Sequence, residues 1–337
     1  MLLIHPVIPP RTSILPLCRY LSTSQSLLKS SNSASSNRWL NRQNNDFYTR
    51  RAKAENLKSR AAFKLLQIEE KFHIFKKSKT SKPVNVLDLG AAPGAWNQVA
   101  LDRCPKGSKV LGVDILPYSP PSGASALQGN ILSKGTHKLI KDFFRLSELQ
   151  RRKKVFDDVE VKTSKKGSDQ SDFEVESDFS IIEKEMELTS LADEILDEKI
   201  ESDDISLKYP VDVVLSDMYV PFPRDDIRSN CSTTNSPYLR MANTTGLTVR
   251  DHAMSMDLCD AALVTAVDLL RKNGSFVIKF FTGEEDKLLE MRLNKVFKDV
   301  KRFKPKACRV ESKECYFVCL NKREYEVDKV ALFSAFE

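Results

Sequence analysis

The stretch Val84 to Trp96, VNVLDLGAAPGAW, constrains this chain more than any other. A run of aliphatic and β-branched residues without polar alternation needs cover on both faces, which a parallel strand of an α/β protein receives. The run carries Asp88 and then breaks into Gly90, Ala91, Ala92, Pro93 and Gly94, small residues that let backbone approach a ligand. The spacing is Gly-x-x-x-Gly after an acid. A dinucleotide loop would read Gly-x-Gly-x-x-Gly, so the turn favours S-adenosylmethionine (SAM) as the cofactor. Asp88, Gly90, Pro93, Gly94 and Trp96 are its candidate cofactor-binding residues.

The flanking segments repeat a strand-helix unit. Ser59 to Phe75 and Trp96 to Cys104 read as helices, and Lys109 to Ile115 as the second strand, ending in Asp114. An acid there suits ribose hydroxyls, and it equally suits a turn before Pro117. Ala126 to Ile131 is a short third strand that brings Asn130 to the same rim, and His137 to Gln150 reads as a helix. Val211 to Asp217 (VDVVLSD) is again a buried strand ending in an acid. The loop Met218 to Thr248 has the length of a lid or substrate loop. Val249 to Lys272 is an amphipathic helix stopped by Gly274, followed by the strand Ser275 to Phe281, the helix Glu284 to Phe297 and the last strand Cys315 to Asn321. This alternation predicts an α/β fold with a doubly wound, mostly parallel sheet.

Charge divides the chain. Val155 to Ser206 holds 18 acids against 5 lysines, so the remainder carries +20 where the whole carries +7. Such a remainder expects a polyanionic partner. The acidic block reads as an insertion, placed away from a nucleic-acid face or acting as a flap over it. Between Arg38 and Lys64, cations alternate with Trp39, Phe47 and Tyr48, which suits phosphates and unstacked bases, or a solvated face. Residues 1–45 contain arginines, serines and leucines but no acid, the pattern of a mitochondrial transit peptide or, failing that, of a disordered basic tail. The expected organisation is therefore a leader at 1–45, one domain at 46–322 with an insertion at about 155–206, and a tail at 323–337. Seven cysteines without a Cys-x-x-Cys pair read as reduced thiols, four scattered histidines give no metal site, and no apolar run reaches membrane-spanning length.

Lys279 is the most informative single residue. A lysine within SFVIKFF must find a partner or lose its charge, because an unpaired buried ammonium is very costly. Lys64, Asp217 and Glu314 likewise lie beside apolar elements. With SRAAFKL around Lys64, VLDLGAAPGAW, VDILP around Asp114, VVLSDM around Asp217, GSFVIKFF around Lys279 and SKECYFV around Glu314, the chain resembles the FtsJ-type ribose 2′-O-methyltransferases, which act on RNA. The resemblance spans roughly Leu57 to Lys322 without the acidic block. It implies a seven-stranded SAM-dependent methyltransferase fold, a catalytic tetrad of Lys64, Asp217, Lys279 and Glu314, and cofactor contacts from Asp114, Asn130 and Asp217. With the leader, it points to the mitochondrial branch: a monomer in the matrix, acting on a uridine ribose of large-subunit ribosomal RNA or the subunit precursor.

The chemistry fits these residue types. Methyl transfer from a sulfonium needs the ribose hydroxyl aligned in line with the bond that breaks. A lysine accepts the hydroxyl proton only when neutral, which burial or a second cation, here Lys64, favours. Two departures stand out: Asn130 where the family has an acid, and Asp-Met-Tyr-Val-Pro where it has Asp-Met-Ala-Pro. The rival readings are an RNA-binding ribosome assembly factor that works without catalysis, and a cytosolic or nucleolar family member acting on transfer RNA or pre-ribosomal RNA.

Overall fold

In a computed structural model, the described residues are 45–75, 82–164, 204–220, 222–223, 241–242 and 244–334. All but the last residue of the leader, residues 165–203 of the acidic block and most of the 218–248 loop lie outside them. The elements are α1 (Phe47–Ala54), α2 (Ala61–Phe72), β1 (Asn85–Leu89), α3 (Ala95–Arg103), β2 (Lys109–Asp114), β3 (Ala124–Gln128), α4 (Lys134–Ser164), α5 (Ile205–Lys208), β4 (Val211–Ser216), α6 (Thr248–Leu269), β5 (Leu270–Phe281), α7 (Asp286–Val296), β6 (Phe297–Phe303), β7 (Glu314–Lys322) and α8 (Lys329–Ser334).

Seven strands form one sheet in the order β3-β2-β1-β4-β5-β7-β6. Pairing is parallel from β3 through β5, while β7 runs antiparallel to both β5 and β6. Strand order reverses between β1 and β4, and the carboxyl ends of strands at such a point open a ligand crevice. Every residue of β1 is buried, which is why its sequence shows no alternation. Leu87, Leu89, Leu111 and Val113 face one layer with Phe144 of α4 and Leu263 of α6, whereas Val86, Val110 and Val213 face Leu65 of α2 and Val99 of α3. The two layers bury the sheet from both sides.

Several elements differ from the sequence reading, β3 among them, which ends at Gln128 and leaves Asn130 beyond the strand. Strand β6 escaped that reading because FKDVKRF is an edge strand whose Lys298, Asp299, Lys301 and Arg302 are exposed, and charge on an edge blunts unwanted pairing. Helix α6 stops at Leu269, before Lys272. The chain then bends through Asn273 at φ 62° and resumes regular pairing at Ser275 opposite Val213, with Gly274 too close to Leu270 to carry a Cβ. Helix α4 runs to Ser164, past the expected end at Gln150. Beyond residue 322, α8 buries Leu332, and Phe333 lies under the Arg292 guanidinium.

The acidic block is tied at its base. Arg152 bonds Asp204 at 2.8 Å and Ser206 at 2.6 Å, while the neighbouring Arg151 reaches Asn85 at the start of β1. Since α5 leads directly into β4, the block leaves and rejoins the fold at the amino ends of the strands.

Candidate active site

The four polar residues singled out in the sequence arrive from four elements at one point. Lys64 lies in the first turns of α2, Asp217 directly follows β4, Lys279 sits within β5 and Glu314 opens β7. Register brings the last two together, because Lys279 pairs with Tyr316 and Phe281 with Glu314. Lys64 Nζ is 2.6 Å from Glu314 Oε1, and Lys279 Nζ is 3.0 Å from Asp217 Oδ1 while also donating to the Asp217 carbonyl at 2.6 Å. Side-chain exposures of 12% and 10% for the first pair, and 5% and 16% for the second, place both ion pairs largely out of water.

Tyr316 joins the two pairs. Its hydroxyl is within reach of both Asp217 Oδ1, at 2.9 Å, and Glu314 Oε1, so its single proton serves one carboxylate or the other. The sequence reading passed over this tyrosine, although it stands two residues after Glu314 and so on the same face of the strand. Burial opposes charge on Lys64, but Asp217 and Glu314 outweigh it and raise the ammonium above its usual range. Burial likewise pushes Glu314 up, and Lys64 with Lys279 overcomes it, holding the carboxyl at about 2. Burial and the same two carboxylates keep Tyr316 neutral by driving its phenol well up. The Tyr219 ring, from the departing Asp-Met-Tyr-Val-Pro segment, lies 5.2 Å from Lys279 Nζ.

The glycine turn abuts this cluster. Gly90 (φ 75°) and Gly94 (φ 98°) adopt left-handed backbone, and a Cβ on Gly90 would come 2.8 Å from the Met218 Cα, next to Asp217. Both Asp114 carboxylate oxygens accept main-chain amides: Oδ1 closes a turn with the Leu116 amide at 2.8 Å, and Oδ2 holds the Ala92 amide of the glycine turn at 2.9 Å. Asn130 is exposed and accepts the Leu132 amide. Gly94 is the N-cap of α3, whose first amides have no partner within the helix. Pro93 follows a cis peptide bond between Gly90 and Gly94. The Trp96 indole is not at the turn: it is buried, donates to the Ala61 carbonyl at 2.9 Å and tilts against Tyr316, so it ties α3 to α2.

Asp88 is the informative orphan. It is fully buried, and among the described residues neither of its carboxylate oxygens has a hydrogen-bond partner, nor has Asn97 Oδ1. Burial, then Asp217 and Asp114, push the Asp88 carboxyl far up. Three acids around a glycine turn suit a ligand with positive charge and hydroxyl groups. SAM, with its ammonium, sulfonium and ribose, matches that donor set. Among the described residues, no group of three or more His, Cys, Asp or Glu could hold a metal ion.

Comparison with known proteins agrees with this geometry. A family model described as FtsJ-like methyltransferase matches residues 57–322. The chain is 48% identical, over 90% of its length and 92% of the relative, to "rRNA methyltransferase 2, mitochondrial" of Saccharomyces cerevisiae. It is 30% identical, over 85% of its length and 95% of the relative, to the protein of the same name in Schizosaccharomyces pombe. A bacterial relative, "Ribosomal RNA large subunit methyltransferase E" of Paramagnetospirillum magneticum, is 33% identical over 86% of this chain and 84% of its own.

Proposed function

Because the chain belongs to the FtsJ-like methyltransferase family, we propose that it methylates a ribose 2′-hydroxyl, that of a uridine in mitochondrial large-subunit ribosomal RNA. The observation that carries this reading is the meeting of Lys64, Asp217, Lys279 and Glu314 beside the glycine turn, at the carboxyl ends of β1 and β4.

In this reading, Asp88, Gly90, Pro93, Gly94, the main chain at Trp96, Asp114, Asn130 and Asp217 hold the cofactor. SAM when bound supplies an electrophilic methyl on a sulfonium. Lys279 takes the proton of the ribose hydroxyl at Nζ, for which it must present a lone pair. Asp217 fixes Lys279 through its carboxylate and its carbonyl. Lys64 stays protonated against Glu314, and Glu314 with Tyr316 keeps that cation at a constant place behind the reacting centre. Alignment of hydroxyl and proton acceptor in a dry site is the main catalytic contribution asked of the chain.

Residues 1–45 act as a transit peptide, the domain acts as a monomer in the matrix, and the substrate is ribosomal RNA or the precursor of the large subunit. Mapping ribose methylation across mitochondrial ribosomal RNA with and without the protein tests the reading. One lost methylation, not restored by Lys279→Ala protein that still binds SAM in calorimetry, is the expected result. An unchanged map refutes it and favours an assembly factor.

A further inference from the structure

His252 has no place in the tetrad, the glycine turn or any metal site, yet it is buried on α6 against the strand that carries Lys279. Its Nδ1 lies 2.7 Å from the Phe281 carbonyl, and its Nε2 accepts the Glu285 amide at 3.1 Å. A carbonyl needs a donor and an amide needs an acceptor, so both contacts are made only by the neutral imidazole with its proton on Nδ1. Two more residues of the same helix face continue the clamp. Ser255 Oγ accepts the Phe281 amide at 3.2 Å, and Cys259 Sγ donates to the Lys279 carbonyl at 3.2 Å. Gly283 completes it, because a Cβ there would lie 2.4 Å from the His252 ring. The ring therefore lies flat on the turn that leaves β5, two residues beyond Lys279. The next residue of α6's start, Asp251, holds the Thr245 amide and hydroxyl at 2.7 Å, where the 218–248 loop returns.

We propose that His252 is a positioning residue for methyl transfer: as a neutral imidazole it clamps the Phe281–Glu285 turn, fixes Lys279 against Asp217, and releases both when protonated. The proposal rests on Lys279 being the proton acceptor. A proton on Nε2 would face the Glu285 N–H, so donor would meet donor and the turn would lose its capping bond. The charged groups nearest the ring along the chain of these elements are Arg250, Asp251 and Asp257 on α6, Glu284, Glu285 and Asp286 at the head of α7, Lys279 on β5, and Lys313, whose carbonyl holds the Thr282 amide. Asp286 is engaged by Arg302 at 3.0 Å.

The test uses full-length protein, SAM with a labelled methyl, and large-subunit ribosomal RNA from mitochondria lacking the protein. His252→Ala and Gly283→Ala are each expected to lower kcat by about 100-fold, with KM for the RNA within about twofold, since a displaced acceptor costs rate rather than binding. His252→Gln, whose amide offers one donor and one acceptor, should return to within about threefold of wild type near pH 8. As pH falls, log kcat of the wild type should steepen from slope one toward two once the imidazole is protonated, while the glutamine variant keeps slope one. Hydrogen exchange of the 281–285 amides in the free protein should quicken in His252→Ala and at acid pH, without any RNA present. Full activity in both alanine variants, or an identical pH profile in His252→Gln, overturns the proposal. If wild type transfers no methyl to this RNA while the exchange behaves as stated, the clamp stands and the functional reading fails. If His252→Ala does not fold, the glutamine profile and the Gly283→Ala kinetics decide.

Discussion

Replacing Lys64 by methionine keeps the volume of the side chain and removes its charge, leaving Glu314 buried with Tyr316 and the field of Lys279. Glu314 is held at about 2 against an ordinary value of 4.5. That difference, at 1.36 kcal/mol per unit, corresponds to about 3 kcal/mol of stability, in line with the roughly 3–5 kcal/mol lost when a buried ion pair loses one partner. The carboxyl is depressed in the folded state, so its contribution is complete above the ordinary value of 4.5 and fades as pH falls through the folded value. Lys279 and Tyr316 remain and also lower Glu314, so Lys64→Met should unfold more easily than wild type by at most about 3 kcal/mol at pH 7, and by about half as much at pH 3. Urea titrations followed by tryptophan fluorescence at pH 7, 5 and 3 measure the difference. A gap under about 1 kcal/mol at pH 7, or one of equal size at all three values, would refute the assignment of Glu314's charge to Lys64.

Asp88→Asn should raise the melting temperature of the cofactor-free protein at pH 7: a carboxyl raised on folding destabilises above its unfolded value of about 3.9, so the advantage should vanish toward acid pH. The same variant should gain less from added SAM in a thermal-shift assay, and an undiminished gain would take Asp88 out of the cofactor site. Gly90→Ala, forced into left-handed backbone and against Met218, should lose about 2 kcal/mol and most SAM affinity, read by calorimetry. Tyr316→Phe should cost about 1–2 kcal/mol in urea unfolding through one lost buried hydrogen bond, and should reduce methyl transfer with SAM binding unchanged.

The sheet was legible because its inner strands are buried on both faces, so VNVLDL, VDVVLS and SFVIKFF stand out as apolar runs. The edge strand β6 was not, since its exposed charges imitate a loop. The tetrad was visible because a charge inside an apolar run is costly enough to demand a reason. Tyr316 and His252 carry no such flag: aromatic and imidazole rings are ordinary in a core, and only the direction of their polar atoms, set by pairing register and helix phase, reveals what they do. Asp114 shows the limit from the other side. Sequence offered a turn or a cofactor rim; the two oxygens accept the Leu116 and Ala92 amides, and the second of these amides belongs to the glycine turn, a link that no spacing in the sequence displays.

The joint formed by Arg152 with Asp204 and Ser206 makes the acidic block a detachable module. Between two ends fixed in this way, the closure entropy of an inserted segment grows only with the logarithm of its length, about 0.6 kcal/mol per doubling, as long as the root stays closed. A fluorescent domain inserted there would report on the protein in place and leave the chemistry alone.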